Sequence, residues 1–233
     1  MLPLHDDIPS TLKPVVTISL IILCVVVFLW QISLDPSLQQ SIISLGVIPS
    51  VLFHHKSLSP EMAIVSPTIT IVTSMFLHGG WLHLAGNMLY LWIFGNNVED
   101  AMGHVRFIVF YLVCGIAAVF AQALPDPQSD IPMIGASGAI SGVLGAYLLL
   151  YPHARILVAI PLGFYIHATR LPAVIVLGLW FILQLLSSTL SGGNGGIAFG
   201  AHIGGFITGL ALIPLFRRKG IMLFRPGPRN GRF

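Results

Sequence analysis

The sequence predicts an all-α membrane protein, a bundle of six transmembrane helices with a long outer loop between the first and the second. Three observations carry that prediction. Only 8% of the 233 residues are Asp, Glu, Lys or Arg and 55% are hydrophobic, against about 25% charged in an ordinary soluble domain, so most of the surface must be solvated by lipid. Six apolar segments approach the ~20 residues that an α-helix needs to cross a bilayer. Threading those six segments through a membrane puts almost all the basic residues on one side of it.

The first segment, residues 15 to 32, has no A-x-A-like cleavage site after it and reads as a retained helix, not a signal peptide. Residues 33 to 80 form the long outer loop, which carries Pro36, Pro49, Pro60 and Pro67. Within it, residues 62 to 77 are apolar but interrupted by Pro67 and a run of Thr and Ser, and read as loop or interface. The remaining spans are 81 to 98, 105 to 124, 136 to 151, 168 to 190 and 197 to 216. Residues 156 to 166 are too short to span and contain Pro161, so they read as a loop or interfacial piece. Ser191 to Gly196 form a short, Gly-rich outer loop.

With both termini on the inner, cytoplasmic side, Lys13, Arg106, Arg155, Arg170 and the six basic residues of the tail (Arg217, Arg218, Lys219, Arg225, Arg229 and Arg232) lie inside. Lys56 alone lies outside. A five- or seven-span reading would separate the chain ends and destroy that asymmetry. No repeat of fixed period occurs, so the simplest organisation is one membrane domain over residues 1–216 and a basic cytoplasmic tail over 217–233.

Several functions are excluded at this stage. The net charge of +3 sits mostly in the tail and not on a folded basic domain, so no nucleic-acid partner is expected. Cys24 and Cys114 lie in separate apolar runs and read as buried thiols. There is no H-E-x-x-H, nine scattered histidines do not make a zinc site, and Walker and dinucleotide-binding patterns are missing, so neither metal nor cofactor is expected. G-A-S-G-A resembles the nucleophile elbow of α/β-hydrolases, but Ala139 replaces its last glycine and no strand precedes it. A transporter would usually carry internal repeats, which are absent.

In so apolar a chain the few polar groups are informative. The second, fourth and sixth spans all descend from outside to inside. His83, Ser137 and His202 precede the first inner titratable groups, Glu99, His153 and Arg217, by 16, 16 and 15 residues. At ~1.5 Å per residue all three lie roughly 22 to 24 Å above the inner boundary, in one layer some 6 to 8 Å below the outer surface of a core about 30 Å thick. Leaving them against lipid would be expensive, so they face a bundle interior or a wet cavity.

Each has a packing reading beside a chemical one. Gly138 and Gly142 form G-x-x-x-G, and Ser141 with Gly145 repeats small-x-x-x-small, which is a helix interface. The same rigid seam suits a nucleophile. Ser137 begins its helix, where backbone N–H groups lack partners and can stabilise an oxyanion. His202, in A-H-I-G-G, is the candidate base; as plain interhelical glue it would need no serine at matched depth. His83 and Asn87, spaced i, i+4, share a face and can donate hydrogen bonds, either to an oxyanion or simply between helices. No carboxylate lies at that level, so a catalytic arrangement is a Ser/His dyad.

These residues resemble the rhomboid family of intramembrane serine proteases. The likeness covers roughly residues 12 to 216. It rests on H-x-x-x-N at His83 and Asn87, G-x-S-G at Gly135 to Gly138, A-H-x-x-G at Ala201 to Gly205 and G-V-I-P-S at Gly46 to Ser50. His78, F-G-N-N-V-E-D at Phe94 to Asp100 and the run ending at Tyr111 add to it. The resemblance implies a rhomboid-like bundle in which Ser137 is nucleophile and His202 general base and acid. It makes His83, Asn87 and the Ser137 N–H the oxyanion hole, and has His78 anchor the outer loop. It also implies a flexible cap at Gly192 to Gly196 and a lateral gate around Trp180 and Phe181. Substrates would be transmembrane proteins cut near the outer face, with lipid as the other partner. The competing reading is an inactive rhomboid-like scaffold that binds transmembrane clients.

One position departs from the pattern. Some members carry an aromatic residue one turn after the nucleophile that stacks on the histidine, and here it is Ser141. The imidazole must then be held by Gly and Ala backbone, by another aromatic, or less firmly. The compact six-helix chain suits a bacterial-type inner membrane. Small-residue seams serve packing within and between chains alike, so they fix no oligomeric state.

Overall fold

The computed structural model of the protein describes residues 1–35, 37–190 and 198–225. It is mostly helical. Helix α1 (Val15–Leu34) leads into three short helices, α2 (Gln39–Leu45), α3 (Pro49–Leu52) and α4 (Pro67–Thr73), the last continued by a 3₁₀ turn at Ser74–Phe76. Then come α5 (Trp81–Met102), α6 (His104–Ala123), α7 (Ser137–Leu150), α8 (Ala173–Leu190) and α9 (Phe199–Phe216). Among the described residues α1, α6 and α9 are long and apolar enough to cross a membrane. Helix α7 is apolar but has only 14 residues, about 21 Å of helix. It starts at Ser137, directly on the polar residue.

Two expectations need correction. The structure is not all-α: β1 (Leu2–Asp6), β2 (Arg155–Leu162) and β3 (Tyr165–Pro172) form an antiparallel sheet in the order β1-β2-β3. Residues 156 to 166, read as loop or interface, are most of its hairpin. Leu162 pairs with Tyr165 across a two-residue turn in which Gly163 has φ +66°, a backbone that glycine adopts without steric penalty. Pro161 misled because a central strand rejects proline. Here β1 pairs no further along β2 than Ala159, so Pro161 lies where β2 has a free edge. Residues 62 to 77 are likewise more regular than a loop, since proline opens α4 at its first turn.

Helix α7 sits at the centre, buried over almost its whole length from Gly138 to Tyr147 and packed chiefly on α9 and α6. The outward sides of α1, α6 and α8 are apolar, with Ile22, Val26, Leu29, Val105, Val109, Ile175 and Ile182 exposed.

Acidic side chains at the C-terminal end of α5 and at the end of β1 tie the frame together. Buried Glu99 accepts the N–H groups of Val16 and Thr17 at 2.9 and 2.8 Å, the Thr17 hydroxyl at 2.7 Å and His104 Nδ1–H at 2.6 Å. The N-cap residue of α1, Pro14, offers no side-chain cap, and Glu99 supplies one from 82 residues away. Asp100 binds Thr11 and Arg218. Asp6, at the end of β1, accepts the Asn97 amide at 2.5 Å and the Tyr147 hydroxyl at 2.6 Å. Its burial raises its pKa above the ordinary carboxylate value.

In the segment between α1 and α5, G-V-I-P-S pairs with the stretch that enters α7. Val47 and Met133 exchange backbone hydrogen bonds, the Ser50 hydroxyl donates to Asp130 at 2.7 Å, and Lys56 forms an ion pair with Asp130. Gly135 N–H donates to Ser74 carbonyl at 2.9 Å. The loop thus fixes the approach to Ser137.

Candidate active site

Ser137 and His202 stand on two helices whose backbones touch. A Cβ on Gly205 would fall against the Gly138 carbonyl oxygen, and one on Gly209 against that of Gly142. On the opposite side of α7, a Cβ at Gly138 would come within 2.6 Å of Ala118 and one at Gly142 within 2.5 Å of Cys114. Any side chain at these positions would push the helices apart, which is the physical reason the seam is written in glycine.

The donors opposite come from α5, and their hydrogen bonds fix both imidazole tautomers. His78 is fully buried. Its Nδ1–H donates to Phe76 carbonyl at 3.2 Å, so Nε2 accepts from Asn87 Nδ2 at 3.0 Å. Its own backbone N–H donates to Gln31 at 3.0 Å, and Gln31 in turn donates to Ser41, so His78 anchors α1, α2 and α5 at one point. Burial, with His83 alongside, lowers the His78 pKa to about 4 and keeps that ring neutral. Gly79 N–H donates to His83 Nδ1 at 3.3 Å, which leaves the ring proton on Nε2.

Both free donors face the strained turn before Ser137. Gly135 has φ +116°, and a Cβ there would lie 2.7 Å from His83 Nε2 and 3.6 Å from Asn87 Nδ2. A side chain at this position would occupy the space those N–H groups point into. Asn87 keeps one amide hydrogen beyond the one given to His78.

His202 is held by aromatic rings, one of the expected alternatives, and by an amide that was not expected. Its Nδ1–H donates to Gln184 Oε1 of α8 at 2.7 Å, and the Trp180 ring lies 6.0 Å away at a tilt of 35°. Phe199 meets it edge-on at 6.5 Å. The open question left by Ser141 has its answer in α8 and α9, which supply an amide and two aromatic rings. Ser141 itself donates to the Ser137 carbonyl at 2.7 Å.

Ser137, Ser141, His202, His83 and Asn87 line one cavity of about 970 Å³, shared with Gln122, Trp180 and Tyr90. Among the described residues, no hydrogen bond joins the Ser137 hydroxyl to the His202 ring. Gln122 and Gln184 were not anticipated. Gln122 Oε1 accepts the Ala201 N–H at 3.2 Å beside the base. Gln184 carried a sequence signal, as the lone polar side chain between Pro172 and Ser187. The proposed cap at Gly192 to Gly196 lies outside the described residues.

Apolar outward faces around a buried polar cavity define an integral membrane protein with a hydrogen-bonding site sunk into its helices. The rhomboid domain family matches residues 66–219, and the chain belongs to the rhomboid family. Among curated relatives, RHOMBOID-like protein 5 of Arabidopsis thaliana is 29% identical over 143 residues, covering 61% of this chain and 43% of its own. Rhomboid protease GluP of Bacillus subtilis (strain 168) is 36% identical over 142 residues, 61% of this chain and 25% of its own. Rhomboid protein 1, mitochondrial, of Saccharomyces cerevisiae is 39% identical over 97 residues, 40% of this chain and 28% of its own. The chain therefore spans less than half the length of these relatives.

Proposed function

We propose that this chain is an intramembrane serine endopeptidase that cuts transmembrane-segment substrates near the outer membrane face, with Ser137 as nucleophile and His202 as base. The observation that carries this reading is the convergence of four side chains on one cavity. Ser137 and His202 stand on the two helices joined by the glycine seam and line the same cavity, and the His83 Nε2 and Asn87 Nδ2 atoms lie beside Gly135, two residues before the serine. The Bacillus relative is named a protease, which agrees.

In the first step His202 takes the Ser137 proton as Oγ bonds to the substrate carbonyl carbon. The oxyanion that forms is stabilised by His83, Asn87 and the Ser137 N–H. The imidazolium then gives its proton to the departing amine, leaving an acyl-enzyme. Water repeats the sequence and releases the acid. The cavity admits that water where lipid would exclude it. A helical substrate must unwind locally to expose its peptide bond.

The six long helices, α1 and α5 to α9, are the spans in this reading, with residues 1–216 as the protease domain, 217–233 as the tail and both ends cytoplasmic in a bacterial-type inner membrane. Purified wild type should cleave a model transmembrane substrate and take up a fluorophosphonate at Ser137, while Ser137→Ala and His202→Ala should do neither. Full cleavage by Ser137→Ala would refute the assignment. Client binding with no labelling of wild type would favour the inactive scaffold.

A further inference from the structure

Between Pro172 and Ser187 helix α8 is apolar apart from Gln184, and the neighbours of that residue, Ile182, Leu183 and Leu185, are exposed on the outside of the molecule. A polar group in such a helix turns inward for a partner. Here the partner is the ring of His202, and the nitrogen involved gives the contact chemical meaning. With Nδ1–H committed to Gln184 Oε1 at 2.7 Å, the lone pair of the neutral ring is on Nε2, the nitrogen left to receive a serine proton.

Trp180 lies one turn before Gln184 on the same helix face. Its ring is 6.0 Å from both His202 and Phe206, while Phe181 stacks on Phe206 at 4.5 Å. Amide and indole together grip the imidazole from α8, a helix that carries neither dyad residue. They occupy the role that Ser141, bonded to its own helix, leaves vacant.

We propose that Gln184 is the positioning residue of His202, fixing its tautomer and ring orientation; this rests on the proteolytic reading above. When the ring gains its proton, the Nδ1–H···Oε1 bond becomes charge-assisted and shortens. A neutral acceptor does this without burying a carboxylate among lipid-facing helices, where an ion would require expensive desolvation.

The test compares wild type, Gln184→Leu and Gln184→Glu in micelles, using a quenched transmembrane peptide substrate, fluorophosphonate labelling of Ser137 and thermal unfolding. Gln184→Leu is expected to lower kcat and the labelling rate about 10- to 100-fold with KM nearly unchanged. Gln184→Glu is expected to keep cleaving but to move the acidic limb of kcat/KM upward by roughly one pH unit, because a carboxylate on Nδ1 favours the imidazolium. The other titratable groups lining the cavity, His83 on α5, Tyr90 on α5 and Asp126 after α6, are the same in every variant.

If Gln184 only cements α8 to α9, Gln184→Leu will melt earlier yet keep its kcat, and the limb will not move in Gln184→Glu; that pair of results overturns the proposal. Should the leucine variant fail to fold, the limb of the glutamate variant decides alone. A wild type that neither cleaves nor labels refutes the proteolytic reading and this one with it, whereas an active wild type with indifferent variants refutes only the role of Gln184.

Discussion

Substituting Gly205 by alanine tests whether the spacing of α7 and α9 sets the geometry of the site. The new methyl would overlap the Gly138 carbonyl oxygen, with the carbonyl carbon at 3.0 Å and the Ser141 Cβ at 3.4 Å. Backbone cannot rotate away as a side chain can. Restoring ordinary contact requires the helices to part by roughly 1 Å, and a misplacement of that size lowers a reaction rate by about 10²-fold. Overpacking should destabilise the fold by about 1 to 3 kcal/mol, against which better helix propensity returns up to ~1 kcal/mol. Gly178→Ala on α8 is the control, since a Cβ there meets nothing within 4 Å. Cleavage, labelling of Ser137 and thermal unfolding in micelles are measured on all three proteins. Gly205→Ala should lose activity far more than stability, and Gly178→Ala should lose neither. Wild-type labelling and melting in Gly205→Ala would refute the claim that close backbone approach aligns serine and histidine.

Asn87→Ala should lower kcat by about 10²- to 10³-fold with little change in KM, as loss of an oxyanion donor does; steady-state kinetics check it. The neutral His78 contributes stability in full above about pH 6.5, lost as pH falls toward about 4, because the unfolded chain binds the extra proton across that window. Thermal unfolding of wild type should follow that slope, on the order of 3 kcal/mol in all, and His78→Gln should flatten it. For Asp6 the sign reverses. Its raised folded pKa means the folded chain holds the proton more tightly, so the docking of β1 is firmest below 3.8 and weakens as pH rises through the folded value. Amide exchange in residues 2–6 should quicken with that rise beyond the intrinsic pH effect, and Asp6→Asn should remove the extra dependence.

The candidate site was more legible in the sequence than the frame around it. Polar residues are scarce and lipid is intolerant of them, so Ser137, His83, Asn87 and His202 stood out, and helix arithmetic alone put three of them at one depth. The frame depends on pairings between distant residues that no local pattern announces. Glu99 looked like an inner boundary marker, and its work as the cap of α1 becomes visible only when Thr17 is brought to it. The sheet stayed hidden because an apolar run with a proline reads equally well as an interfacial loop. Gln184 was visible but unassigned: a lone glutamine in an apolar helix demands a partner without naming one.

The pairing of β1 with β2 also bears on how the chain is assembled. Leu2 pairs with Ala159 and Asp6 with Ile156, so the strand synthesised first waits until the fourth long helix, α7, and the hairpin after it have been made. Contacts so distant in sequence form late, after the loop they close has been ordered. Until then residues 2–6 offer an unpaired edge and a carboxylate without its partners. Closure of that strand onto Asn97 and Tyr147 is in effect a late checkpoint in assembly, because the docking site for Asp6 exists only once α5 and α7 have come together.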